Sequence, residues 1–165
     1  MDVSENGRRE RAERLKERIY LTFAALAVVL ALSTHHAEAA EALRTLAVTV
    51  LGTLLAVFTA DLVSHIVIHE RIMTSQELRH ALGTSFGAIG AVALPVVFLV
   101  IAAMGGWSTE AALRASAVAL VLSLVVFGYL AVRRIALSWW QRLIALGAEA
   151  VLGLAVVGLQ VLAHG

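Results

Sequence analysis

The chain has 165 residues, 60% of them hydrophobic and 15% charged, and its mean hydropathy is +0.86. Soluble domains hold about 45–50% apolar residues, so these values exclude an ordinary soluble globular domain and indicate an integral membrane protein. Net charge is only +1 and cysteine is absent, which rules out disulfides, thiolate metal sites and iron–sulfur clusters.

Residues 1–18 read as a charged cytoplasmic stem. Arg8, Arg9, Arg11, Arg14, Lys16 and Arg18 alternate there with Glu10, Glu13 and Glu17 in helical i,i+4 pairs. The interleaved acids weaken the basic field, so nucleic acid is not an expected partner and a solvated helix fits better than a lipid-docking one. Residues 19–165 read as a five-span transmembrane domain. The first span, Ile19 to Thr34, has a basic region before it and an Ala37-Glu38-Ala39 stretch like a cleavage site after it. The acids of the stem are unlike a signal peptide, so this span is expected to be retained. His35, His36, Glu38 and Glu41 follow as a solvated loop.

The second span, Leu43 to His69, is ~40 Å long as a helix and is interrupted by Asp61, His65 and His69. Spacings of i, i+4 and i+8 advance by only about 40° per step, which places an acid and two imidazoles on one stripe. A carboxylate inside an apolar span costs on the order of 3 kcal/mol, so it is expected to pair, bind an ion or face water. The third span, about His80 to Met104, carries Gly83, Gly87 and Gly90 as a small-residue face for close helix packing, with Pro95 expected to kink it. Trp107 is an expected interfacial anchor, and Ser108 or Thr109 an expected helix cap. In the fourth span, Ala111 to Val132, Ser116 and Ser123 are expected to bond across helices. The fifth, Gln141 to Leu162, holds a second carboxylate, Glu149.

An odd number of spans with Arg71, Arg79, Arg133, Arg134 and Arg142 on the side of the stem predicts a cytoplasmic N-terminus in a multi-pass plasma membrane of bacterial type. On that topology Asp61, His65, His80 and Glu149 approach one depth near the cytoplasm. Imidazole and carboxylate without sulfur suit borderline divalent ions, so the candidate metal ligands are Asp61 and His65, completed by His80 or Glu149, with His69 at the entrance. A structural polar network and a metal-free proton relay remain open for the same residues.

Residues 56–165 carry a distant family resemblance. Asp61-Leu62-Val63-Ser64, Gly90-Ala91-Val92-Ala93-Leu94-Pro95, and Phe127-Gly128 within Leu124 to Arg133, with Ser138 and Leu152-Gly153 beyond, occur in an order that resembles the vacuolar iron transporter family. The family's first helix carries an Asp-Gly motif and acidic pathway residues, whereas Ile19 to Thr34 here has no Asp, Glu, His, Lys or Arg. The resemblance implies export of iron(II) or manganese from the cytoplasm by proton exchange through a homodimer. The expectation is therefore a dimeric, all-α integral membrane protein that handles a divalent transition metal such as iron, manganese or zinc. A membrane-embedded metalloenzyme and a structural or partner-binding subunit are the alternatives.

Overall fold

The computed structural model describes residues 3–35 and 37–133, together with Trp140, Gly147, Val151 and Gly158. The expected fifth span, with Glu149, thus falls outside the described residues apart from isolated helical positions. The described secondary structure is entirely helical: α1 (Val3–Thr34), α2 (Ala39–His69), α3 (Ser75–Gly87), a 3₁₀ segment (Ala88–Val92), α4 (Ala93–Ala103) and α5 (Thr109–Arg133). Helices satisfy all their backbone polar groups internally, as a chain in lipid must. Three stretches are long and apolar enough to cross a membrane: Ala39–His69, Ser75–Ala103 and Thr109–Ala131.

α1 runs without a break through both the charged residues and the apolar run after them. Its shortness as an apolar segment has a tertiary explanation, because it is the central helix. Leu21, Ala25, Leu26, Val29 and Leu32 are all buried, and α1 packs against α2, α3, the 3₁₀ segment and α5. From α2 the core takes Ala39, Ala42, Leu46, Val50 and Leu54, spaced by three or four residues along one stripe. After Leu54 no residue of α2 is buried. The second half of this helix therefore leaves the packed core, and a cleft opens between it, α1 and α3.

Apart from the helix's own backbone, no described atom comes within 4 Å of the position a Cβ would take on Gly83, Gly87 or Gly90, so among the described residues that face is open. One helix-packing expectation is corrected. Ser116 and Ser123 do not reach across helices but donate to the carbonyls of Ala112 (2.7 Å) and Ala119 (2.8 Å) in their own helix. Within a helix the i−4 carbonyl is the nearest acceptor for a serine hydroxyl. Pro95 lies in the first turn of α4, where a missing N–H leaves no helical bond unmade, and the tighter 3₁₀ turns precede it. Ser108 caps α5, accepting from the Ala111 N–H at 3.2 Å, and Trp107 packs edge-on against Phe98 with centroids 5.7 Å apart.

The α2–α3 connection is held by side chains. Glu70 closes α2 in the left-handed conformation (φ 52°), and its N–H donates to the Ile66 carbonyl at 2.9 Å. Thr74 and Glu77 then form a capping box at the start of α3. Thr74→Ala is expected to lower stability by about 1 kcal/mol, read as a lower midpoint of thermal unfolding in detergent. An unchanged midpoint would show that the cap is redundant with the Arg71–Glu77 ion pair.

Candidate cation cleft at one end of the bundle

The cleft between the first half of α1, the last turns of α2 and the start of α3 has a volume of about 810 Å³. Asp61, His65, His69 and His80, four of the five candidate ligands, line it together. Glu149 lies outside the described residues. The helical stripe holds as expected: the rings of His65 and His69 stack with centroids 4.4 Å apart and planes inclined by 11°.

Three further lining residues come from α1 and were not expected from the sequence: Glu13, Lys16 and Glu17. Their signal was present in the spacing. Glu17, Leu21 and Ala25 recur at i+4, so the acid continues the stripe that faces the core; reading the charged residues as a separate solvated stem concealed it. Glu17 is only 3% exposed. Its Oε1 accepts from the Ser85 hydroxyl of α3 at 3.4 Å, while Oε2 is buried with no hydrogen-bond partner. Burial pushes the Glu17 carboxyl above its ordinary value, the negative charge of Asp61 adds to the rise, and Ser85 and Lys16 oppose it.

Glu77 is the opposite case. Its carboxylate accepts from Arg71 Nη1 and Nη2 at 2.9 and 2.6 Å, and from the Thr74 N–H and hydroxyl, each at 2.8 Å. That carboxylate is saturated, which bars it from ligand duty without dismantling the turn. The Nε2 of His65 stands 3.7 Å from it, at ion-pair distance but beyond hydrogen-bond reach, and among the described residues is the other buried polar atom without a hydrogen-bond partner. The cleft thus presents a carboxylate oxygen and an imidazole nitrogen that are both shielded from water and without a hydrogen-bond partner.

The donors do not converge on one point. Among the described residues no three His, Asp or Glu side chains stand close enough together to hold a metal ion. Holding one would require side chains around the cleft to swing inward; Asp61 and Glu17 stand outside the helix-connecting network, and His65 meets it only at 3.7 Å from Glu77. His35 lies apart from the cleft, with its Nδ1 2.8 Å from the Ala31 carbonyl at the end of α1. No family model, curated protein or solved structure matches the chain.

Proposed function

We propose that the protein binds a divalent transition metal ion in this cleft and carries it across the membrane in exchange for protons. One observation carries the reading: the orphaned atoms, Glu17 Oε2 and His65 Nε2, both belong to residues lining a single cleft that also holds Asp61. Leaving a buried polar atom unsatisfied costs about 1–3 kcal/mol, so two in one place are best explained by a ligand that satisfies both. Carboxylate and imidazole together select borderline ions such as iron(II), manganese or zinc. Each ligand must shed its proton to bind, which couples metal and proton movement.

In this reading Asp61 and His65 are the primary ligands, Glu17 reaches in from α1, and His80 and His69 receive the ion at the mouth. The cleft faces the cytoplasm, because Arg14, Arg18, Arg71 and Arg79 belong to the segments at that end of the bundle. The apolar half of α1 and the stretch 141–162 complete five spans with the three apolar stretches described. The open glycine face of α3 is offered to a further helix, which we assign to a second copy in a homodimer. The motif resemblance of residues 56–165 to the vacuolar iron transporter family agrees with transport of this kind.

Purified protein in vesicles is expected to take up iron(II) or manganese(II) when the lumen is more acidic than the bath, the metal entering as protons leave, and Asp61→Ala to abolish that flux while leaving the folded fraction unchanged. Absence of metal-dependent flux in the native chain, or full flux in the variant, would remove the proposal. A structural polar network is the competing reading, favoured by the saturated Arg71–Glu77–Thr74 cluster; it predicts flux from neither protein.

A further inference from the structure

Lys16 is the only lysine among 13 basic residues, the rest being arginine. It is also the only Lys or Arg among the described residues lining the cleft. Its Nζ lies 2.6 Å from Glu13 Oε2, and the side chain is 41% exposed. The ammonium also feels the charge of Asp61 across the cleft. An i,i+3 surface pair contributes little to stability, so the pair with Glu13 is weak enough to open.

We propose that Lys16 is a tethered counter-ion of the cleft: its ammonium neutralises Glu13 and Asp61 while no metal is bound, and an incoming divalent cation displaces it. The inference rests on the reading that the cleft takes such a cation. An ammonium on a flexible stem suits this task better than a guanidinium. It is a compact point charge that can leave one carboxylate without breaking a paired, planar set of hydrogen bonds, as Arg71 would on Glu77. The displaced ammonium swings toward solvent, where the half-exposed stem already lies. Lys16 therefore sets a threshold: ions that cannot outcompete a tethered single positive charge are held off, and divalent ions are admitted.

Manganese(II) binding to the full-length protein, read by electron spin resonance, supplies one test. At low salt Lys16→Gln is expected to tighten binding about threefold or more, with the gain shrinking as added salt shortens the screening length. Arg18→Gln, which removes an exposed charge on the same helix away from the cleft, is expected to change it less than twofold. On the native chain, saturating manganese(II) is expected to speed acylation of Lys16, read by peptide mass spectrometry, because the displaced side chain leaves the cleft for solvent. Equal effects of the two substitutions, unchanged or weaker binding by Lys16→Gln, or acylation indifferent to bound manganese would overturn the inference while leaving the cleft as a metal site. Manganese binding by neither native chain nor variant would overturn both.

Discussion

Glu17→Gln is expected to reduce metal-dependent uptake in vesicles at least tenfold and, at neutral pH, to raise the midpoint of thermal unfolding. The two effects have one cause. A carboxylate that is 3% exposed, with one oxygen unengaged and Asp61 nearby, destabilises the ion-free protein when ionised. Glutamine keeps a carbonyl for the Ser85 hydroxyl and removes the charge, so stability should rise on the order of 1 kcal/mol. The sign with pH follows from the raised carboxyl. Its favourable contribution to folding is complete below the ordinary value of 4.5 and is lost as pH rises through the higher value in the folded chain. The stability gap between native chain and variant should accordingly widen from pH 4.5 toward neutrality. A loss of stability with uptake intact would identify Glu17 as a structural lock between α1 and α3 instead.

Metal affinity is expected to fall steeply with acid. Between pH 7 and pH 5.5 the loss should be about tenfold or more, because protons compete for the same carboxylate and imidazole donors. Binding by Glu17 runs opposite to its effect on folding: a proton favours the ion-free fold, and its release accompanies metal binding, so affinity rises with pH. Glu17→Gln should make the dependence shallower by up to one proton, measured as the slope of log affinity against pH in manganese(II) titrations. A slope near zero in the native chain would exclude proton-coupled binding at this cleft.

The helical class and the membrane setting were legible because they follow from local chemistry. An apolar run of 20 residues or more has no folded alternative in lipid but a helix, and the i,i+4 spacing of Asp61, His65 and His69 fixes their shared face whatever the rest of the chain does. The stacking of His65 on His69 and the cap at Ser108 are of the same kind, since both depend on residues within one or two turns. The fates of Ser116 and Ser123 were not legible. Small and hydroxylated residues permit close helix contact without requiring it, and an i−4 carbonyl competes with any partner on another helix.

The sequence by itself determined that this is a helical membrane chain with an acid–imidazole stripe on its longest apolar helix. Periodicity and hydropathy are properties of single helices, and those features are written within one. Only the tertiary structure decided that α1 is the central helix, that α2 leaves the core after Leu54, and that Glu13, Lys16 and Glu17 close the cleft around Asp61 and His65. Those outcomes depend on which faces of separate helices meet. That choice is made by the summed packing of buried side chains, from Leu21 to Leu124, and not by any local pattern.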